Sequence, residues 1–210
     1  MSGINEKKIF HYGCLTIELH PEVYEPAEDT FLLADTIDVH PGMNILELGS
    51  GCGLIALNCA LQGAHVVCTD INPFAVKLIQ QNYKRNKHLF LGTFDIRYSD
   101  LFSHIAQHEQ FDYIVFNPPY LPTKAGEKID SWLNVAVDGG PDGLKIITRF
   151  LKDVPKYLTF HGKIYFVFSS LASEQKLFKI LQKNHLEYSC IKQHRFEGET
   201  LSVYCAFPTH

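Results

Sequence analysis

Glu47-Leu48-Gly49-Ser50-Gly51-Cys52-Gly53 ends a short apolar run beginning at Asn44 and opens an apolar, helix-length segment reaching about Gln62. Glycines at alternate positions of a strand-to-helix turn let the backbone bend tightly and keep Cβ atoms from separating it from a ligand. Asp70 closes the next β-branched run, residues 65–69, and lies 21 positions after Gly49. A carboxylate about 20 residues beyond such a turn is placed to accept hydrogen bonds from ribose hydroxyls. Asp70 could instead cap the following helix, but Asn72, directly before Pro73, suits that role better. Together these features point to a nucleotide-type βαβ unit.

The alternation continues along the chain. Strands are expected at 94–98, leading to Asp100, and at 112–117, where Tyr113-Ile114-Val115-Phe116 is continuously apolar. A helix from Pro73 to about Asn86 buries Ala75, Val76, Leu78 and Ile79, and further helices fit 142–157 and 173–184. A strand at 163–169 and two final strands near 187–192 and 201–207, joined by polar residues and a glycine, give the sheet an antiparallel end. Ahead of the first strand, residues 9–19 suit a hairpin, and 27–37 a helix with Glu28 and Asp29 in its first turn. The expected class is α/β: one Rossmann-like domain over 1–210. It has a mostly parallel seven-stranded sheet, an antiparallel C-terminal strand and helices on both faces. Residues 1–40 are expected to form an extension covering the cofactor site.

Composition removes several function classes. The chain has 210 residues, 46% hydrophobic, enough for a full core, and 19 Lys plus Arg against 23 Asp plus Glu give a net charge of −4. Without a basic tail, it lacks the electrostatic footprint of a general nucleic-acid binder; Lys84, Arg85 and Lys87 suit the solvated end of a helix. The longest apolar runs, such as residues 164–168, fall far short of the ~18 residues of a membrane span. Glu6, Lys7 and Lys8 interrupt the apolar core that a secretory signal would need. No CxxC pair occurs among Cys14, Cys52, Cys59, Cys68, Cys190 and Cys205. Reduced, mostly buried thiols are therefore expected, as in the cytoplasm.

The turn reads GxGxG and not GxGxxG, and Glu47 lies where an anionic pyrophosphate would be repelled. A cationic, adenosyl-sulfonium cofactor is the better electrostatic partner. Asp100 is positioned to accept from an adenine exocyclic amine.

Asn117-Pro118-Pro119-Tyr120 follows an apolar strand at the carboxyl edge, where open α/β sheets bind ligands. Proline lacks an N–H and fixes φ, so a backbone carbonyl can be held toward a cleft without joining a ladder. The Asn117 side-chain carbonyl is a second acceptor, and Tyr120 can stack on a planar group. Two convergent acceptors suit an sp² NH₂ group and aim its nitrogen at an electrophilic methyl by positioning, without a strong base.

With these residues assembled, the chain resembles class I S-adenosyl-L-methionine-dependent methyltransferases of the HemK type. The similarity is strongest to the short eukaryotic and archaeal release-factor glutamine methyltransferase branch. Matching segments are 24–30, the cradle from Glu47, 69–73, 116–120, the turn from Asp138-Gly139-Gly140 to Gly143, and 198–203. The resemblance implies that Thr30, Glu47, Gly49, Gly51, Gly53, Asp70, Ile71, Asp100, Leu101 and Asn117 bind the cofactor. It implies that Asn117, Pro118, Pro119 and Tyr120 hold the substrate amide, the glutamine of the GGQ motif in a class-1 translation release factor. It further implies a small zinc-binding methyltransferase activator subunit as partner. Strand 94–98 would be a sheet edge, made apolar by Phe90, Leu91, Phe94, Ile96 and Tyr98, and such an edge invites strand addition.

Weaker candidates are His104 and His108, whose i, i+4 spacing on a helix could offer two metal ligands, although a solvated surface fits better. Trp132 suits a lid anchor or a packing aromatic; Cys52 and Cys59 suit packing. Alternative functions are protein (histone) lysine methylation and exocyclic-amine methylation of a nucleic-acid base. A non-catalytic binding subunit and a dinucleotide oxidoreductase complete the alternatives. No metal site and no membrane contact are expected.

Overall fold

The computed structural model describes residues 8–123, 131–196 and 198–209. A hairpin, β1 (Ile9–Tyr12) and β2 (Leu15–Glu18), and helix α1 (Glu28–Ala34) precede the main sheet. Then follow β3 (Asn44–Leu48), α2 (Leu54–Leu61), β4 (His65–Asp70), α3 (Pro73–Asn86), β5 (Phe94–Tyr98), β6 (Phe111–Phe116) and α4 (Trp132–Val137). The chain finishes with α5 (Lys145–Asp153), β7 (Leu158–Ser169), α6 (Glu174–Lys183), β8 (Leu186–Phe196) and β9 (Glu199–Pro208).

The seven strands lie in the order β5-β4-β3-β6-β7-β9-β8, and only β9 runs against its neighbours. This is the sheet expected from the sequence. It is covered on both faces. One layer gathers residues such as Leu57, Ile79 and Val115, and the other Leu48, Ile114, Phe150 and Phe166. The chain leaves β3 for β4 on one side and returns to β6 on the other, creating the topological switch point where such sheets bind ligands. Register sets Leu48 beside both Thr69 and Phe116, so the cradle, Asp70 and the Asn117 tetrapeptide emerge from adjacent strand ends.

The hairpin is fastened to α3 by two asparagines one helical turn apart, whose amides act as a short strand edge. Asn86 Oδ1 accepts from Thr16 N–H and its Nδ2 donates to the Thr16 carbonyl, both at 2.9 Å. Asn82 accepts from Glu18 N–H at 2.8 Å and donates to the Glu18 carbonyl at 3.0 Å and to the Cys52 carbonyl, inside the glycine turn, at 2.9 Å. Asn72, the cap of α3 as expected, also donates to the Glu22 carbonyl at 2.7 Å. Glu18 and Glu22, ahead of α1, are thereby tied to α3 and, through Asn82, to the glycine turn.

Several expectations change. Helix α4, for which no helix is expected from the sequence, is capped by Ser131 Oγ accepting from Asn134 N–H. β7 begins five residues earlier than expected, because Phe111 pairs with Leu158 across a register shift. β8 continues through Gln193, His194 and Arg195, which are paired by β9. Arg85 is not merely solvated; it meets the buried Glu18 carboxylate at 3.0 Å. His104 and His108 lie in turns and not on a helix. Among the described residues no cluster of three or more His, Cys, Asp or Glu could hold a metal ion. No described helix is long and apolar enough to cross a membrane.

β5 is a sheet edge, but its apolar set is divided. Phe90 and Phe94 stack on Tyr83 at centroid distances of 5.8 and 4.9 Å, and Ile96 is half-buried beside them. Leu91 and Tyr98 are exposed, at 88% and 52%.

Candidate active site

A cavity of about 310 Å³ opens at the switch point, and it is lined by residues of the cradle, the tetrapeptide, α1, α4 and α5. Glu47 lies at its base, fully buried, with Oε2 accepting from Ala56 N–H at the start of α2 at 2.9 Å. Gly51 has φ of 56°, and its N–H donates to Asp70 Oδ2 at 2.8 Å. A side chain there would strain the backbone that ties the turn to the carboxylate. Asp70 Oδ1 accepts from Asn72 N–H, also at 2.8 Å.

Both carboxylates are hard to ionise in the protein alone. Burial pushes the Glu47 pKa from 4.5 to about 8, against the pull of its hydrogen bonds from Ser50 and Ala56 and with a smaller push from Asp70. Burial also raises Asp70, to about 6, although the Asn72, Gly51 and Ile71 amides oppose it. A ligand with cationic groups and ribose hydroxyls would relieve that cost, which a pyrophosphate would increase.

The tetrapeptide side of the cavity is organised around Asp29, which is 3% exposed. Its Oδ1 accepts from Thr30 N–H at 2.6 Å and from Thr30 Oγ1 at 3.2 Å. Its Oδ2 accepts from Asn117 Nδ2 at 2.9 Å and Tyr120 Oη at 3.1 Å, and Tyr24 Oη reaches the same carboxylate at 3.3 Å. A carboxylate can only accept, so it fixes the Asn117 amide with nitrogen toward Asp29. The other end of that amide, Oδ1, is buried with no hydrogen-bond partner. A buried carbonyl oxygen lacking a donor costs about 1–3 kcal/mol, so it marks where a ligand N–H belongs. Burial and the Asp29 charge raise the pKa of Tyr24 and Tyr120 well above the ordinary phenol value, keeping both as donors.

Backbone packing holds the tetrapeptide in place. Leu121 N–H donates to the Val137 carbonyl and Gly139 N–H to the Leu121 carbonyl, at 3.1 and 2.9 Å. A Cβ on Gly139 would come within 2.9 Å of the Pro119 carbonyl oxygen, and one on Gly143 would overlap the Tyr120 carbonyl oxygen. The Asp138 to Gly143 turn is thus a backbone buttress for Pro119 and Tyr120.

Asn117, Pro118, Pro119, Tyr120, Thr30, Glu47, Gly49, Gly51, Asp70, Ile71, Asp100 and Leu101 all line the one cavity. Gly53 does not. It has φ of 84° and starts α2 behind the cradle, where a Cβ would meet Ile79 at 3.2 Å. Trp132 lines the cavity as the first residue of α4. Cys52 and Cys59 are buried, and burial raises the Cys52 thiol to about 12, which leaves it inert. From the sequence Asp29 is legible only as an acid opposing the helix dipole, and Tyr24 and Arg149 have no distinct role. The available signal for Asp29 and Tyr24 was their place in the motif at 24–30.

The residues present fit S-adenosylmethionine: acids for cationic groups and ribose, a glycine turn for close approach, and an orphan acceptor beside them. The family model for the methyltransferase small domain matches residues 20–196. A Methanocaldococcus jannaschii protein named as a candidate protein N5-glutamine methyltransferase is 47% identical over 163 residues, 77% of this chain and 80% of its own. The human methyltransferase HEMK2 is 33% identical over 211 residues, covering 97% of each chain. In the solved Encephalitozoon cuniculi Mtq2-Trm112 complex, described as responsible for methylation of the eRF1 translation termination factor, the matched chain superposes with a TM-score of 0.68. It is 24% identical, over 90% of this chain and 99% of that one, and so supports the fold. The chain belongs to the methyltransferase small domain family and is a class I, S-adenosylmethionine-dependent methyltransferase of the HemK type.

Proposed function

We propose that this enzyme methylates the side-chain amide nitrogen of a protein glutamine, that of the GGQ motif in a class-1 translation release factor. The observation that carries this reading is the unpartnered, buried Asn117 Oδ1 beside the cofactor cradle. A glutamine NH₂ has two hydrogens and no basic lone pair to protonate, so it needs acceptors, orientation and proximity more than a base. Asn117 Oδ1 accepts one N–H, and prolines 118 and 119 hold the backbone so that a carbonyl can take the other. Tyr120, anchored through its hydroxyl to Asp29, offers its ring face to the planar amide. Bound S-adenosylmethionine would supply the electrophilic methyl, its sulfonium leaving as the neutral thioether, while the amide nitrogen gives up one N–H proton to solvent. The names of the Methanocaldococcus relative and of the Encephalitozoon complex support this substrate class.

The same reading includes a small zinc-binding activator subunit docked on the β5 edge, where Leu91 and Tyr98 leave apolar surface exposed. The test is co-expression of the two chains, incubation with S-adenosylmethionine and a release factor, and peptide mass spectrometry. One methyl group on the GGQ glutamine is expected, absent when that glutamine is replaced by glutamate. Methylation only at lysines would overturn the proposal.

A further inference from the structure

Asp100 and Arg149 meet at the cavity wall, with Arg149 Nη2 at 2.8 Å from Asp100 Oδ2. Their encounter is built from the core outward. Phe102, two residues after Asp100, stacks on Phe150, the neighbour of Arg149, at 6.0 Å, and on Tyr157 at 4.5 Å. The Asp100 backbone is fixed independently: its N–H donates to Ser103 Oγ, and its carbonyl accepts from Ser103 N–H, both at 3.1 Å. Among the described residues its carboxylate is met by Arg149, which occupies Oδ2 and leaves Oδ1 to accept from an N–H. The Arg149 and Asp100 side chains are 49% and 44% exposed, and an ion pair so wetted contributes little to stability. Orientation is what it can supply.

We propose that Arg149 is a positioning residue for the adenine end of the cofactor: it holds one oxygen of Asp100 so that the other meets the exocyclic amine. The proposal rests on Asp100 being the amine acceptor, an expectation from the sequence. The guanidinium reaches Asp100 through Nη2 alone, and an ammonium on a flexible stem, more strongly hydrated, holds a carboxylate oxygen less firmly, so Arg149→Lys should only partly substitute.

The experiment is calorimetric binding to the full chain, with its activator subunit if that is needed for solubility. The ligands are S-adenosylhomocysteine and its hypoxanthine counterpart, in which a ring carbonyl replaces the amine. Wild type should prefer the adenine ligand by about tenfold or more, the scale of one hydrogen bond to a charged group. Arg149→Met should lose most of that preference through weaker adenine binding, leaving the hypoxanthine ligand unchanged. Arg149→Lys should fall between. A general structural role would weaken both ligands together, and that result overturns the proposal. Full preference in Arg149→Met, with preference lost in Asp100→Ala, removes Arg149 and keeps Asp100 as the acceptor. No preference in wild type removes the acceptor reading and the proposal with it.

Discussion

Asp29 Oδ2 accepts a hydrogen bond from Asn117 Nδ2 at 2.9 Å across 88 residues of sequence, and that contact decides which end of the Asn117 amide faces the acceptor site. One carboxylate from the first helix therefore orients the asparagine at the end of the fourth parallel strand. It also anchors Tyr120 and Tyr24, so three groups lose their common partner if it is changed.

Asp29→Asn should lower kcat about 10- to 100-fold, the scale of one misplaced catalytic hydrogen bond, because the substituted amide no longer imposes one orientation on Asn117. Cofactor affinity should change less. Steady-state rates at saturating S-adenosylmethionine, with binding measured separately, check this. An unchanged kcat would remove Asp29 from the organisation of the site.

Gly143→Ala should destabilise the fold by roughly 2–4 kcal/mol, combining backbone strain at its positive φ with overlap on the Tyr120 carbonyl. Activity should fall more steeply than the folded fraction, since the displaced backbone is that of the tetrapeptide. Denaturant unfolding and turnover on the same preparation test the pair; wild-type values for both would contradict the buttress.

Binding of S-adenosylmethionine at pH 7 should release protons. Glu47 titrates at about 8 and Asp70 at about 6 in the ligand-free protein, and a cationic ligand favours their ionised forms. Affinity should therefore rise from pH 6 to pH 8. The folded pKa of Glu47 lies above its ordinary value of 4.5, so the folded state binds more protons than the unfolded one between 4.5 and about 8. The ligand-free protein should accordingly lose stability as pH rises through that window, with the whole cost present above it. Calorimetry in buffers of different ionisation enthalpy measures the released protons, and net uptake would refute the assignment.

Leu91→Lys with Tyr98→Lys should make the isolated chain more soluble and weaken capture of the activator subunit at least tenfold, with the β5 fold intact. Co-purification yield and circular dichroism together test this. Unchanged capture would place the partner on another surface.

The βαβ core was legible because each signal was local: the glycine turn, Asp70 at its fixed spacing, Asn72 before Pro73, and proline directly after an apolar strand. Asp29 was not legible as the hub, since nothing local pairs position 29 with position 117. Helix α4 leaves no signal in the sequence because six residues carry less than two turns of periodicity. The polar end of β8 is not legible in the sequence, because its pairing with β9 makes the strand and its own composition does not. Gly53 fits the glycine pattern of the cradle, yet only the fold reveals that it faces Ile79.

The most direct measurement is methyl transfer to the release-factor GGQ glutamine by wild type and Asn117→Ala, with S-adenosylmethionine affinity determined on the same samples. Amide orientation by Asn117 requires a methylated glutamine with wild type, a loss of at least about 100-fold in the variant, and cofactor affinity within a few-fold. Equal turnover by both proteins would contradict it.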